Sequence, residues 1–263
     1  MTGYEQFCFM IKKLMVGIIC VNVLISHSIA QQVADTTRQP MYFSGSLGIT
    51  NNGFSIIPSF SFNDPAVIAL LSWKKKKFSF DPEFRITHTG KKGSILFWFR
   101  YHAVNRKRFA FTIGAHPAVN WFPTIVNQSG VSEELLRLRR FFAWELAPSY
   151  KISKHWSTSI YYLQGNGLQK NGPRTTHFIN LNTTISRIAL SNQMWLTVAP
   201  AIYYLYLDGN EGIFFTASAS LGSNKSPFLL QSTINQKLRS AIPDTRMFMW
   251  NIGVAYSFRR ELR

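Results

Sequence analysis

The chain is poor in cysteine, in carboxylates and in charge of any kind. Its two cysteines, Cys8 and Cys20, both lie near the N-terminus, so everything beyond them is without a thiol. That excludes structural disulfides, thiolate catalysis and cysteine-based metal centres from the body of the protein. Only 16% of the 263 residues are charged, against about 25% in ordinary soluble domains. Acids are the scarcer sign, with 12 Asp+Glu against 29 Lys+Arg and a net charge of +17. Histidines are not clustered at ligand spacing, and no glycine-rich phosphate loop occurs. No metal and no cofactor are therefore expected.

A strong positive balance can signal nucleic-acid binding. Here the basic residues are dispersed, and the one dense run, Lys74-Lys75-Lys76-Lys77, falls in an expected turn between apolar segments. Zinc spacing, a helix-turn-helix pattern and an RNA-binding aromatic signature are all missing. Anionic lipid head groups are the preferred partners of this charge, and nucleic acid is not expected.

Aromatic residues are what the chain has in excess: 22 Phe, 10 Tyr and 7 Trp, or 15% of residues. A soluble domain would need a very large core to hide them. A β-barrel in lipid would not, because its whole outer wall is apolar.

Lys12 and Lys13 precede an apolar stretch from Leu14 to Ile25, followed by Ser28-Ile29-Ala30. This is the layout of a secretory signal peptide, with cleavage expected after Ala30. The apolar run is short of the ~20 residues that a spanning helix needs. Ile18-Ile19 before Cys20 is too bulky for lipoprotein processing. The expected organisation is a signal peptide over 1–30, a short periplasmic segment over 31–40 and a barrel over 41–263.

From Met41 onward the dominant signal is period-2 alternation, the mark of a two-faced strand. Phe78, Phe80, Pro82, Phe84 and Ile86 alternate with Ser79, Asp81, Glu83, Arg85 and Thr87. Ile95, Phe97, Phe99 and Tyr101 oppose Ser94, Trp98, Arg100 and His102. Leu136, Leu138, Phe142, Trp144 and Leu146 oppose Arg137, Arg139, Ala143, Glu145 and Ser149. At the end, Phe248, Trp250, Ile252, Val254, Tyr256 and Phe258 oppose Met249, Asn251, Gly253, Ala255 and Ser257. Turn chemistry separates strands expected at 42–50, 54–62, 66–73, 78–88, 94–104, 107–121, 132–151, 155–165, 175–189, 193–207, 212–222, 228–239 and 247–258. Single-chain bacterial barrels have even strand numbers, so one segment is surplus, and the short early ones are the weakest. The fold expected is all-β: a single transmembrane antiparallel up-and-down barrel of about 12 strands, with 14 next. A soluble sandwich would alternate too, but its outward face would be rich in charge rather than in Ser, Thr, Asn and Gly.

Several stretches carry a family resemblance: Gly48-Ile49-Thr50-Asn51-Asn52-Gly53, Pro58-Ser59-Phe60-Ser61-Phe62, Phe78 to Arg85, Gly114-Ala115-His116-Pro117-Ala118 and Glu145-Leu146-Ala147-Pro148-Ser149-Tyr150. With these the chain resembles the uncharacterised outer-membrane β-barrels of Bacteroidota. Tyr256-Ser257-Phe258, with Trp250, is similar to the aromatic C-terminal strand signal read by the barrel-assembly machinery, although Arg259 to Arg263 trail beyond it. The resemblance implies fold and location, with outer-membrane lipid, lipopolysaccharide and the assembly machinery as partners. It implies no activity.

The charged side chains expected on the inner faces are Asp81, Glu83, Arg85, Arg100, His102, Arg137, Arg139 and Glu145. They would either pair among themselves and fill a narrow lumen or, with bases in excess, line an anion-favouring pore for small solutes. Three functions follow: a small passive channel, a closed barrel with a structural or partner-binding role, and an outer-membrane lipid hydrolase. The last needs a serine–histidine pair, and His88, His102, His116, His155 and His177 show no diagnostic partner spacing. His116-Pro117 is expected to kink or bulge its strand. The longer outer loops are expected near 123–131 and 165–174.

Overall fold

The computed structural model describes residues 40–57, 60–128, 131–169 and 172–262. The expected signal peptide and residues 31–39 lie outside them. Twelve strands follow in order: β1 (Met41–Thr50), β2 (Ala66–Lys75), β3 (Phe78–Thr87), β4 (Gly93–Asn105), β5 (Phe109–Gln128), β6 (Val131–Lys151), β7 (Trp156–Gly167), β8 (Thr175–Ala189), β9 (Met194–Leu207), β10 (Asn210–Ser223), β11 (Ser226–Ser240) and β12 (Phe248–Leu262). Each pairs antiparallel with its sequence neighbours, and β1 pairs with β12 from Met41↔Leu262 to Thr50↔Gly253, closing the sheet. Closure leaves no edge, which is what an unsatisfied backbone in hydrocarbon demands.

The alternation divides the wall into two faces. Leu47, Ile49, Phe78, Phe99, Ile202, Trp250, Ile252 and Val254 are exposed on the outside, an apolar band suited to lipid. Aromatic rings meet across strands there: Phe43 on Trp73 at 4.6 Å, Phe80 against Phe99 at 5.0 Å and Phe43 against Phe258 at 5.2 Å. Ser79, Thr87, Ser94, Glu145, Thr216 and Asn235 are buried on the inside.

Connections differ between the two ends. At one end they are short: 76–77, 106–108, 152–155, 190–193 and 224–225, together with the barrel's first and last strand ends. At the other they include 51–65 and 241–247. Short turns mark the periplasmic end of such barrels. The two-residue outer turn Asp208-Gly209 has positive φ at both residues (47° and 91°), the type I′ geometry that suits a twisted hairpin.

Three sequence expectations are corrected. The described residues of the segment 54–62 (54–57 and 60–62) form no strand and lie in the β1–β2 connection, which removes the thirteenth strand and leaves twelve. Where an outer loop was expected at 123–131, the described residues are strand: β5 runs to Gln128 and β6 starts at Val131. His116-Pro117 makes no bulge: Pro117 pairs with Phe142 in unbroken register. The register shift of that neighbourhood lies between His102 and Val104 on β4.

Candidate functional site

The β1–β2 connection turns back into the barrel from the outer end. It is pinched at its base, where Gly53 N donates to Asp64 O (2.8 Å) and Phe62 N to Gly53 O (3.1 Å). Ser61 ties its two limbs, accepting from Ser55 N (2.8 Å) and donating to Ser55 O (2.9 Å). Phe54 and Phe62 are buried, and Phe60 packs on Phe141 of β6 at 4.9 Å. The wall holds this plug by its backbone. Arg85 Nη2 donates to Phe54 O at 2.9 Å, Lys92 Nζ to Phe62 O at 2.8 Å and to Asp64 Oδ2 at 2.6 Å. The Tyr203 hydroxyl donates to Asn235 Oδ1 at 2.8 Å and lies 3.2 Å from Ile56 O.

Beside the plug, in the outer half of the barrel, the lumen is packed with apolar side chains. Trp98, Leu163, Phe178, Tyr203, Leu205 and Phe214 form one buried cluster with Ile242 of the β11–β12 connection, and Ile56 and Ile57 of the plug pack against it. Tyr203 stacks on Phe214 at 4.9 Å. On β7 to β10 the inner face is therefore apolar at Leu163, Phe178, Tyr203, Leu205 and Phe214 and polar further along the same strands, at Asn180, Asn182, Thr216 and Ser218. Burying each such apolar side chain stabilises by about 1.5–3 kcal/mol, and here that energy fastens the plug to the wall.

Toward the periplasmic end a polar network crosses six strands. Arg100 is its centre, donating through Nε to Glu145 Oε1 at 2.6 Å and through Nη1 to Asp81 Oδ2 at 2.9 Å. Glu145, 1% exposed, also accepts from the Tyr161 hydroxyl at 2.6 Å. Asp81 accepts from Ser72 and Ser79 at 2.5 and 2.9 Å. His102 closes the chain, with Nε2 3.3 Å from Ser79 Oγ and Nδ1 3.0 Å from Thr112 Oγ1. Gly114, opposite Glu145 in the ladder, leaves the space for it: a Cβ there would sit 2.6 Å from Glu145 Oε1.

Of the charged set read from the sequence, Asp81, Arg100, His102 and Glu145 are brought together. Glu83 and Arg85 pair separately at 3.5 Å. Arg137 and Arg139 stand on the outer extension of β6, where the Arg139 guanidinium lies 4.2 Å over the Phe122 ring. Two carboxylates thus face Arg100, so the excess of bases does not form a ring around the lumen. Trp250, Tyr256 and Phe258 alternate along β12 with Asn251 and Ala255. Tyr161, Ser72, Thr112, Tyr203 and Asn235 were not singled out by sequence. Tyr161 and Tyr203 look like girdle aromatics until the facing strands are known.

The wall from β8 to β12 is polar and uncharged along the cavities, and the Glu83–Arg85 pair of β3 closes the larger one from across the lumen. A cavity of about 380 Å³ under the plug is lined by Asn180, Asn182, Thr216, Ser218, Thr233 and Asn251, with Phe54, Ser55 and Ile56 as its roof. A second, of about 250 Å³, shares Ser218, Thr233 and Asn251 and adds Ser46, Thr50 and Gln231. A third, of about 280 Å³, lies between the plug and Trp98, His116, Tyr161 and Phe178. His116 rests on Trp98, ring centroids 3.8 Å apart. His155 lies in the turn after β6, and His177 contacts the Tyr162 hydroxyl at 2.9 Å.

No protein-family model matches the chain, and no curated protein does. Solved structures do. One described as the KdgM porin aligns with 82% of this chain and 99% of its own, at 11% identity and a TM-score of 0.51. An outer-membrane channel from Pseudomonas putida F1 aligns with 86% of this chain and all of its own, at 10% identity and a TM-score of 0.48. Identity this low speaks to fold alone, and the fold shared with the first is the closed β-barrel of outer-membrane proteins.

Proposed function

We propose that the protein is an outer-membrane channel for small polar solutes, stoppered from the outer side by residues 51–65. One observation carries this reading. Two largely polar cavities share Ser218, Thr233 and Asn251, and the larger lies directly beneath the plug, where the Glu83–Arg85 pair also lines it. A barrel serving only as a scaffold would gain from filling that space, as the cluster of Phe178, Tyr203, Leu205 and Phe214 fills it on the same strands nearer the outer end. The opposite wall, with Arg100 neutralised by Asp81 and Glu145, supports weak rather than strong ion selectivity. A source among Bacteroidota, and recognition of Trp250, Tyr256 and Phe258 during assembly, belong to the same reading and rest on the sequence resemblance.

The hydrolase alternative finds less support. His102 meets Ser79, but the Ser79 proton goes to Asp81, and the second ring nitrogen of His102 faces Thr112 rather than an acid. Triad chemistry needs the acid behind the histidine.

The test is planar-bilayer recording of the wild type and of the Arg85→Met/Tyr203→Phe variant, which loses two of the wall's holds on the plug. The expected outcome is rare, brief openings in the wild type and more frequent ones in the variant. Equal silence from both, with folding verified, would favour the closed scaffold.

A further inference from the structure

The barrel's exterior is not a uniform apolar cylinder. Between β2 and β6, toward the short-turn end, it carries a groove of about 700 Å³. Its walls are outward rings, Trp73, Phe80, Phe99, Tyr101 and Trp144. Its floor is Ala115, which the ladder places between Phe99 on β4 and Trp144 on β6. A small side chain between two large ones makes the depression, and the rings give it sides.

The groove opens toward cationic groups. Lys75 lines it, and Lys77 Nζ sits 5.8 Å from the centre of the Tyr101 ring. Lys76, between them, holds a positive φ of 55° in the two-residue turn. This turn is one part of a wider pattern. Arg106 to Arg108, Lys154, Lys225 and Arg259 also belong to this end, whose turns 76–77, 106–108, 152–155, 190–193 and 224–225 hold no carboxylate; Glu261 lies near the end of β12. None of the ion pairs among the described residues uses a basic residue of these turns. The outer end, in contrast, pairs Lys91 with Glu134 and Lys92 with Asp64. Unpaired cations bordering an apolar band attract anionic head groups, and long basic side chains reach them by laying their stems along the apolar wall.

We propose that this groove is a binding site for one phospholipid with an anionic head group, taken from the leaflet at the short-turn end. An acyl chain lies over Ala115 between the rings, and the phosphate is held at Lys75 and Lys77. The site depends on the barrel sitting in a membrane and is independent of whether the lumen conducts.

The probe is tryptophan quenching in phosphatidylcholine vesicles doped with dibrominated phosphatidylglycerol or, separately, with dibrominated phosphatidylcholine. Trp73 and Trp144 report on the groove. Two lysines at the membrane surface should favour the anionic lipid by at least about fivefold. Lys75→Gln/Lys77→Gln is expected to bring the ratio close to one, and Lys75→Arg/Lys77→Arg to retain it. Trp73→Phe/Trp144→Phe should remove the excess quenching, while Lys225→Gln at a distant turn should leave it unchanged. Heat-modifiable gel migration verifies folding of each variant. Equal quenching by the two lipids in the wild type would overturn the proposal. So would a preference that survives in Lys75→Gln/Lys77→Gln, which would mean general attraction to the basic rim.

Discussion

Replacing Glu145 tests whether the periplasmic half of the lumen is held by charge pairing. Glu145 is fully enclosed, receives Arg100 at 2.6 Å and the Tyr161 hydroxyl at 2.6 Å, and faces a glycine across the ladder. Breaking a buried pair by removing one partner costs about 3–5 kcal/mol, because the other charge is left uncompensated. Arg100 keeps Asp81 at 2.9 Å and is about a quarter exposed, so the penalty for Glu145→Leu should be smaller, about 2–3 kcal/mol after allowing for screening. Arg100→Met should cost more, since it strands Asp81 and Glu145 as neighbouring like charges. The double variant Arg100→Met/Glu145→Leu leaves Asp81 with its Ser72 and Ser79 donors, and should recover about 2 kcal/mol relative to the sum of the single changes. Guanidinium unfolding of the vesicle-inserted barrel, followed by tryptophan fluorescence, gives the four energies. A coupling below about 0.5 kcal/mol would refute the pairing argument and point to a lumen wet enough to screen these charges.

Gly114→Ala should displace Glu145 and cost about 1–3 kcal/mol, the range for overpacking; adding Glu145→Asp, one methylene shorter, should restore part of the loss, and denaturant midpoints decide it. Val254→Arg places a charge on the lipid face at a cost of ~2–4 kcal/mol near mid-depth, whereas Ser220→Arg, pointing into the 250 Å³ cavity, should insert almost normally; equal membrane yields of the two would contradict the face assignment. Tyr203→Phe removes the hydroxyl shared by Asn235 and Ile56 and should destabilise by about 1 kcal/mol, with faster amide exchange at residues 53–57 as the local readout.

The barrel was legible in the sequence because lipid outside and polar groups inside force a period of two, seen without interruption from Phe78 to Thr87 and from Phe248 to Phe258. The plug was not. Phe54, Ile56, Phe60 and Phe62 alternate with Ser55, Ser59 and Ser61 just as a wall strand does, since a loop packed between a wall and a cavity also has two faces. Pro58 was the available signal: a residue without an N–H is poorly placed in the middle of a closed sheet. Turn residues at Asn51 to Gly53 and Asn63 to Pro65 framed the same segment. The surplus thirteenth strand was therefore the plug itself. Inner-face charges could be read from alternation, but their pairing could not, because Asp81, Arg100 and Glu145 come from three strands whose register depends on the turns between them. The apolar lumen cluster was hidden for a related reason. Where Phe214 and Leu205 face inward and Ile213 and Ile202 outward, alternation fades and a strand shows no sided pattern.

The most direct test of the central claim, a polar path closed by an inserted loop, is single-channel recording after residues 54–62 are replaced by a short Gly-Ser linker that leaves Arg85, Tyr203 and the wall intact. The account predicts long, steady conductance steps with weak ion selectivity where the wild type is mostly shut. Folded, membrane-inserted barrel that stays silent without the loop would contradict it, because the cavities along Ser218, Thr233 and Asn251 would then lead nowhere.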